Sequence, residues 1–443
     1  MSDNLKNQND KDNNIEEKKE LKEELKPPEF TEYIQCFKNK NTQELMNDPK
    51  YAALSKTHKF WDTQPVLKPG EVVQASGPLQ QNIAIDLIPK ELTKLPENFT
   101  WREIDLMNEL DIKDIYQLLY ENYVEDDDGQ FRFNYSTQFL RWALLPPGYR
   151  KELYFGIIEK KTNLLVGFIS GIVIDLLIEK KNVKSTEVNF LCVHKKFRSV
   201  SMASVLIREV VRRSNLIGVF QGLFTSGTLL PTPFAQARYY HRNLNVRKLA
   251  EVKFTYLGPS QKISTQEKLY ELPSLPEIPP GFIIRPTEER DIKQVRNLIL
   301  SKLKDFDVQQ DYNKKEVGHW FIHRPDIIES FIIEKAGKIT DFFCFYNLPS
   351  SVLRNEKHKE IKAAYSYYYV NNTFTLTELY IISLHRAKSL GYDVFNVLDI
   401  MDNEQVFKSL GFAGGDGYLN YYFYNWKLAK QYMLPKQLGI VLM

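Results

Sequence analysis

The sequence predicts a mixed α/β fold in which one arrangement of strands and helices is built twice. Three observations lead there. Strand-like and helix-like segments alternate in both halves of the chain. Prolines gather in "LPSLPEIPPGF", Leu272 to Phe282, between those halves, where a linker belongs. The chain has 443 residues, 43% apolar and 13% aromatic, enough for two or more ordinary domains or one large one with a packed core.

The same totals exclude several classes. A net charge of +3 is close to balance and does not indicate a general nucleic-acid-binding surface. Cys36, Cys192 and Cys344 are scattered, make neither a disulfide framework nor a zinc spacing, and fit a reducing cytosol. The polar N-terminus shows no signal peptide. The longest apolar stretch, "LLVGFISGIVIDLLI" from Leu164, is broken by Asp175 and too short to span a bilayer. It reads as a pair of buried strands joined through Gly171.

Taken in order, residues 1-29 are rich in Asn, Lys and Glu and poor in apolar side chains. They cannot bury enough surface to offset their ordering entropy, so a disordered polar tail is expected. Tethering to a large partner such as the ribosome is the alternative to a merely solvated tail. Order is expected from near Phe30 and firmly by "HKFWDTQPV", His58 to Val66. "DIKDIYQLLYENYV" places Ile112, Ile115, Leu118 and Leu119 on one helical face, with Asp111 and Asp114 near its start. "YFGIIE" and "STEVNFLCVH" read as strands. "SMASVLIREVVRRS" reads as a helix with a broad apolar face of Met202, Val205, Leu206, Ile207, Val210 and Val211. Ser199 or Ser201 can cap it, and Arg212 and Arg213 suit its C-terminal end. "LIGVFQGLFT" is a strand, and "PFAQARYYHRNLNVRKLAEVKF" holds short helices leading to a strand. Beyond the prolines, "ERDIKQVRNLILSKL" is a helix, and "IIESFIIEK", "KITDFFCFYNLP" and "KAAYSYYYV" are strands. "TLTELYIISLHRAKSLG" is a helix ended by Gly391, "YDVFNVLDI" is a strand, and "NEQVFKSLGF" is a short helix with a turn.

Four local constellations carry chemical content. In "EVNFLCVHKKFRSVSMASVLIREVV" a strand runs through Lys195, Lys196 and Arg198 into a helix N-terminus, a seat for an anion. A solvated basic turn is the plainer local reading. "NYVEDDDGQFRFNY" groups the carboxylates Glu125 to Asp128 before Gly129 and alternating aromatics. Its oxygens lack the alternate spacing of a calcium loop, so it suits a cationic peptide or a simple exposed turn. "FAGGDGYLNYYFYNW" permits a tight loop around Asp416 but has no dinucleotide or P-loop spacing. The ending "LGIVLM" is apolar and would pack inward, carrying the α-carboxylate of Met443 with it. A final strand with an exposed end is the plainer alternative.

The segments "FWDTQPV", "YVEDDDGQFRFNY", "EVNFLCVHKKFRS", "ARYYHRNLN", "AAYSYYY", "YDVFNVLDIMDN", "GGDGYLNYYFYNW" and "GIVLM" occur in this order. Together they resemble eukaryotic N-myristoyltransferase, a GNAT-type acyltransferase, from about Phe60 to Met443. The resemblance implies two GNAT-like halves with pseudo-twofold symmetry forming one large saddle-shaped sheet. Residues 30-271 would be the half that binds myristoyl-CoA. Residues 272-443 would be the peptide-binding half, whose C-terminus reaches the active site.

Matched motif by motif, His58, Lys59, Phe60 and Trp61 would line the acyl-CoA site. Phe190 and Leu191 would present backbone N–H groups to the thioester oxygen, with Cys192 and Val193 continuing the strand. Arg198, Ser199, Val200, Ser201, Met202 and Ala203 would wrap the CoA phosphates. Tyr123, Val124, Asp126, Asp127, Asp128, Phe131, Phe133, Tyr135, Thr225, Gly227, Tyr239, His241, Tyr346, Ser366 and Asp416 fall at peptide-groove positions. The resemblance further implies a cytoplasmic monomer, possible ribosome or membrane association, no metal and no permanently bound cofactor. Its substrates would be myristoyl-CoA and nascent proteins or peptides beginning with glycine, often with a basic residue downstream.

The chemistry follows from the acceptor. A glycine α-amine has a pKa near ~8 and must lose a proton before attack. The Met443 α-carboxylate is the candidate base, with Asn189 and Thr225 holding the amine. The chain departs from the family in the turn after Arg198 and Ser199: Val200 and Ser201 stand where the family usually has Lys and Arg. It also ends in Met443 where the family commonly has Gln or Leu. Two other readings keep the fold: a different GNAT-type amine acyltransferase, and a non-catalytic acyl-CoA-binding module. A third, a peptide-binding adaptor, would use the acidic loop alone.

Overall fold

The computed structural model describes residues 59–68, 71–124, 129–258, 261–430 and 432–443. The first half begins with β1 (Phe99–Glu103) and α1 (Glu109–Asn122), whose N-terminus is capped by Asn108 accepting from the Leu110 and Asp111 N–H groups. There follow β2 (Phe131–Phe133), α2 (Thr137–Leu144), β3 (Tyr154–Glu159), β4 (Leu164–Ile178), β5 (Lys181–Val193) and α3 (Met202–Leu216). β6 (Gln221–Ser226), β7 (Ala235–Asn243), α4 (Val246–Glu251) and α5 (Ile263–Leu269) complete it. The second half runs through β8 (Phe282–Pro286), α6 (Ile292–Leu303), β9 (Val308–Gln310), α7 (Lys314–Phe321), β10 (Ile328–Lys335) and β11 (Lys338–Asn347). It continues with β12 (Ser350–Val352), β13 (Glu360–Ile361), β14 (Ala363–Asn371), α8 (Leu376–Ser389), β15 (Val394–Leu398), α9 (Glu404–Leu410), β16 (Ala413–Tyr424) and β17 (Leu438–Gly439). Thr375 and Glu378 form a capping box at α8, and Gly411, at φ 68°, ends α9 in the left-handed region. Among the described residues no helix is long and apolar enough to cross a membrane.

The main sheet has the order β1-β3-β4-β5-β6-β16-β7-β15-β14-β11-β10-β8. The series reads alike from both ends if β1, β3, β4, β5 and β6 are matched with β8, β10, β11, β14 and β15. This is the internal repeat that the alternation of elements predicts. The middle of the sheet is exchanged. β7 of the first half pairs with β15 of the second, β16 of the second pairs with β6 of the first, and β7 pairs with β16. Each half thereby covers a strand edge that the other would leave open. A main apolar core spans both halves, and a smaller one lies beneath α3. The chain end is stitched in as well: β17 pairs in parallel with β9, and β9 pairs with residues Leu176 to Ile178 of β4.

Several sequence expectations are corrected. Leu164 to Ile178 is one continuous strand, not two joined at Gly171. Gly171 sits mid-strand opposite Val188, and a Cβ there would lie 2.8 Å from Thr186 Cγ2, so close packing explains the glycine. The segment after Pro233 forms its strand first, as β7, and its helix second, as α4. The glycines around Asp416 belong to β16, where the register to β7 shifts between Gly414 and Tyr418: a bulged strand takes the place of a tight loop. Ser201 occupies the N-cap of α3 at φ 55° but makes no side-chain cap. The buried face of α3 is narrower than its apolar pattern. Val205, Ile207 and Val211 are half-buried, while Glu209 and Arg213 are buried.

Glu209 explains that exchange. Its carboxylate accepts from Thr93 N and Oγ1, from Arg212 Nε and Nη2, and from Arg213 Nε at 2.7 Å. Arg213 also pairs with Glu103 and lies over the Phe155 ring at 4.1 Å. Burial alone would raise the Glu209 carboxyl, but the arginine and Thr93 donors overcome it and bring it down to about 2. A depressed carboxyl contributes stability above its ordinary value of 4.5 and loses it as the pH falls toward 2. Glu209→Ala should therefore cost about 3–5 kcal/mol at neutral pH by urea denaturation, because it strands buried guanidinium groups. The gap between variant and parent should narrow in that acid window. An equal gap at both ends would refute the assignment.

Candidate functional site

The site begins where two strands part. β5 and β6 run parallel and pair only at Ser185–Gln221, Thr186–Gly222 and Glu187–Leu223. Beyond that point Phe224 and Thr225 of β6 pair with Tyr422 and Tyr421 of β16, while β5 keeps only β4. A fork opens with Asn189, Phe190 and Leu191 on one arm and Thr225 on the other. The second half repeats the device, since β14 and β15 pair only from Ala363 to Tyr365.

The β5 arm is bent by a bulge. Its register to β4 shifts between Phe168 and Ser170, which leaves Phe190 and Leu191 without ladder partners. Phe190 sits at φ 54°, a conformation that costs a bulky residue of order 1–3 kcal/mol. Ser170 Oγ donates to Asn189 O at 2.7 Å and clamps the strand just before it. The Phe190 N–H faces the phenol of Tyr123, whose own ionisation burial suppresses. Cys192, next along, is buried, and burial pushes its thiol up to about 12, so it is no nucleophile near neutral pH.

Below the arm the chain turns through a 3₁₀ helix, Lys195–Val200, capped by His194 Nδ1 accepting from the Lys196 N–H at 3.2 Å. Arg198 donates to Asn122 O at the end of α1 and to Val193 O, so its guanidinium holds the turn in place. Lys195 N donates to Asn122 Oδ1 at 3.0 Å and ties the same two elements together. Ser199, Val200 and Ser201 are exposed, Ala203 is half-buried and Met202 is buried. With no side-chain cap, the first N–H groups of α3 are open to an anion. On the β6 arm, Trp61 stacks on Phe224 at 5.4 Å, Phe224 stacks on Tyr422 at 5.0 Å, and Arg208 of α3 lies over Phe60 at 5.4 Å. Lys59 beside them is exposed. His58 lies outside the described residues.

A cluster of aromatic side chains leads away from the bulge. Tyr135 meets Phe190 at 5.1 Å, Tyr123 at 5.8 Å and Phe133 at 5.9 Å. Phe133 meets Tyr365, which stacks on Tyr346 at 5.3 Å and meets Tyr239 at 6.0 Å. His241 and Phe131 meet through Phe254. Burial pushes the Tyr239 phenol up to about 12 and lowers His241 below its ordinary value; Asn396, bonded to His241 Nδ1 at 2.7 Å, opposes that lowering. Val124, Gly227 and Asp416 are exposed. Ser366 departs from this set: its hydroxyl bonds Tyr380 Oη of α8 at 3.1 Å. Asp126, Asp127 and Asp128 lie outside the described residues. Thr225 is half-buried, and Met443 is half-buried against the main core, three residues after Ile440. Tyr368 Oη accepts the Val441 N–H at 3.1 Å and fixes that ending.

Sequence reasoning missed Glu187, Phe224 and Phe254. Glu187 stands in the same apolar run as Asn189, two residues earlier and on the same face of β5. Asn189 Nδ2 donates to its Oε1 at 2.6 Å, and burial pushes its carboxyl up to about 7 against that hydrogen bond. A glutamate at the start of the apolar run that carries Asn189 was the available signal. Phe224 and Phe254 carry no local sign, because their partners come from distant segments. A surface cleft of about 520 Å³, lined by Gln81, Asn82, Lys184, Gln221 and Trp426 among others, lies at the opposite end of β5 from the bulge.

The arrangement sets a strained bulge outside the sheet ladder, its Phe190 N–H on the Tyr123 phenol, beside a helix N-terminus without a side-chain cap and a cluster of aromatic side chains. Comparisons with known proteins agree on one family. Residues 78–237 match the family model "Myristoyl-CoA:protein N-myristoyltransferase, N-terminal domain", and residues 251–441 match its C-terminal domain. The chain is 45% identical to glycylpeptide N-tetradecanoyltransferase 2 of Danio rerio over 87% of its length and 77% of the relative's. It is 42% identical to glycylpeptide N-tetradecanoyltransferase 1 of Arabidopsis thaliana over 88% of its length and 90% of that relative's. Among solved structures it is similar to Saccharomyces cerevisiae N-myristoyltransferase with bound myristoyl-CoA. That match has a TM-score of 0.82 and 36% identity, covering 88% of this chain and 100% of the other.

Gly415 keeps the wall of the aromatic cluster thin. A Cβ there would overlap His241 Nε2 and stand 3.2 Å from Tyr239 O. Gly415→Ala should destabilise the fold by about 1–3 kcal/mol through overpacking. It should also displace the imidazole outward, so that His241 titrates closer to its ordinary value by NMR. An unchanged His241 titration would show that the wall yields elsewhere.

Proposed function

The chain belongs to the myristoyl-CoA:protein N-myristoyltransferase family, and from that premise we propose how the fork between β5 and β6 carries out the transfer. The protein is an acyltransferase that moves a myristoyl group from myristoyl-CoA to the α-amine of an N-terminal glycine. The observation that carries the mechanistic reading is the bulge at Phe190, which takes Phe190 and Leu191 out of the ladder to β4 where the strands part and leaves the Phe190 N–H on the Tyr123 phenol alone.

In this reading the thioester lies in the fork with its oxygen toward the Phe190 and Leu191 N–H groups. Attack by the amine places negative charge on that oxygen, and a donor of this kind is worth about 3–4 kcal/mol of barrier. Tyr123 Oη, now facing the Phe190 N–H, yields that place to the thioester oxygen. Asn189 and Thr225, from opposite arms, hold the amine. The Met443 α-carboxylate takes one proton from the glycine ammonium; the proton lost by the amine on forming the amide goes to the departing CoA thiolate. The CoA phosphates rest on the first turn of α3 and the Ser199 to Ser201 turn, with Phe60 and Trp61 closing the β6 side. The peptide runs along the Tyr135, Phe133, Tyr365, Tyr346 and Tyr239 groove. Asp126 to Asp128 and Asp416 meet a downstream basic residue. The division into an acyl-CoA half, residues 30-271, and a peptide half, 272-443, belongs to the same reading. The exchanged strands β7 and β16 give each half a share in the other's site.

Incubation with myristoyl-CoA and a peptide beginning with glycine should add the acyl mass to the peptide. Deleting Met443 or appending a residue should lower the single-turnover rate much more than myristoyl-CoA affinity. Fast transfer by both variants near pH 7 would exclude the terminus as base.

Ser201 tests the phosphate seat. Its φ of 55° is far from the value near −65° that proline requires. Ser201→Pro should therefore weaken myristoyl-CoA binding strongly, and Ser201→Ala only modestly, because backbone donors survive the latter. Val200→Lys combined with Ser201→Arg should tighten binding and make it more sensitive to ionic strength. Normal affinity in the proline variant, by titration, would place the phosphates elsewhere.

A further inference from the structure

We propose that Glu187 is a positioning residue for the transfer: its carboxylate orients the Asn189 amide so that Oδ1, not Nδ2, faces the substrate amine. The proposal rests on the reading of Asn189 as a holder of that amine. A carboxylate can only accept hydrogen bonds, so the amide must turn its nitrogen toward Glu187, and Asn189 Nδ2 does donate to Oε1 at 2.6 Å. The remaining amide atom, Oδ1, has no protein partner among the described residues. It is an acceptor, the group that an ammonium or amine N–H requires. A reversed amide would set donors against donors and turn the amine's lone pair away from the thioester.

The placement of Glu187 fits this role. It makes the last β5–β6 pair, opposite Leu223, so it sits at the crotch of the fork, and Asn189 is the next residue on that face. The backbone between them cannot drift, because Ser170 Oγ holds Asn189 O at 2.7 Å.

Its surroundings argue against a purely structural carboxylate. Glu209, which is structural, is buried among guanidinium and Thr93 donors and is drawn down to about 2. Glu187 is also buried, yet Asn189 is its sole hydrogen-bond donor among the described residues, and burial pushes it up to about 7. The ionisable groups that feel its charge are the phenols of Tyr154, Tyr367, Tyr368 and Tyr421. Among the described residues no cation joins them. A buried carboxylate with one donor and no counter-ion is costly to keep. Arrival of the glycine ammonium beside Asn189 supplies the missing positive charge. Tyr368 also holds the Val441 N–H, so the same face carries the chain ending that presents Met443.

The test is a double-mutant cycle on the full chain, read by single-turnover transfer from myristoyl-CoA to a saturating glycine-starting peptide. Glu187→Gln keeps size but can donate to Asn189 Oδ1 and reverse the amide. It should slow transfer at least tenfold while myristoyl-CoA affinity stays within twofold, which also shows an intact fold. Asn189→Ala should slow transfer by itself, and adding Glu187→Gln to it should change the rate less than twofold. A normal rate in Glu187→Gln beside a slow Asn189→Ala would sink the proposal and leave the amine-holding reading standing. A normal rate in Asn189→Ala would overturn that reading and this proposal with it. Additive losses would show Glu187 acting on the substrate directly, and lost myristoyl-CoA binding in Glu187→Gln would show a structural role; either result overturns positioning through Asn189.

Discussion

Two parallel strands that pair for three residues and then separate are the constraint on which the rest of the molecule depends. β5 and β6 share a ladder only to Glu187 and Leu223. Past that point β5 carries backbone donors with no strand to receive them. A sheet normally covers such an edge, because unpaired N–H groups are costly when buried and invite aggregation when exposed. Here the bulge at Phe190 takes the strand out of its ladder, and the Tyr123 phenol receives the Phe190 N–H. The strain of a phenylalanine at φ 54° is held by the Ser170 clamp and by the aromatic packing of Phe190 against Tyr123 and Tyr135. In the proposed reading the acyl donor, the amine and the peptide take their positions from that fork.

For the fork to stay open, its two arms must be held by different partners. β4 holds the β5 arm, and β16 holds the β6 arm. Because β16 comes from the second half of the chain, the first half cannot set the width of its own site. The reverse holds for β15, which pairs with β7. The stitching of β17 through β9 to β4 brings the chain ending to the same region. A repeated fold that had kept its own last strand in each half would have two complete sheets and no shared centre.

Two buried glutamates show how environment assigns a carboxylate its task. Glu209 is surrounded by donors that match its charge, and it locks α3 beside Thr93 and Glu103. Glu187 has one donor and a ring of phenols. The first satisfies its electrostatics within the fold; the second has one donor among the described residues, and burial opposes its charge. Glu209 interrupts the apolar face of α3 and Glu187 begins the apolar run of β5, and neither could be given its role from pattern alone.

Much was legible in the chain itself. The periods of apolar residues placed α1, α3 and α8, because a helix buried on one side must repeat its apolar positions about every three to four residues. The alternation of strands and helices announced the repeat within the sheet, and the ordered motifs from Phe60 to Met443 carried the family resemblance. Sequence alone failed where contact between distant segments decides. Gly171 looked like a turn but is mid-strand, because Thr186 of β5 leaves no room for a side chain. Glu209 and Arg213 interrupt the buried face of α3 because Glu103 and Thr93 reach them across the fold. The fork, the exchange of β7 with β16, and the charge state of Glu187 depend on which strands meet, and on what surrounds a carboxylate once water has been excluded. Local pattern records how each segment can fold; only tertiary packing sets which strands meet and which buried groups keep a partner.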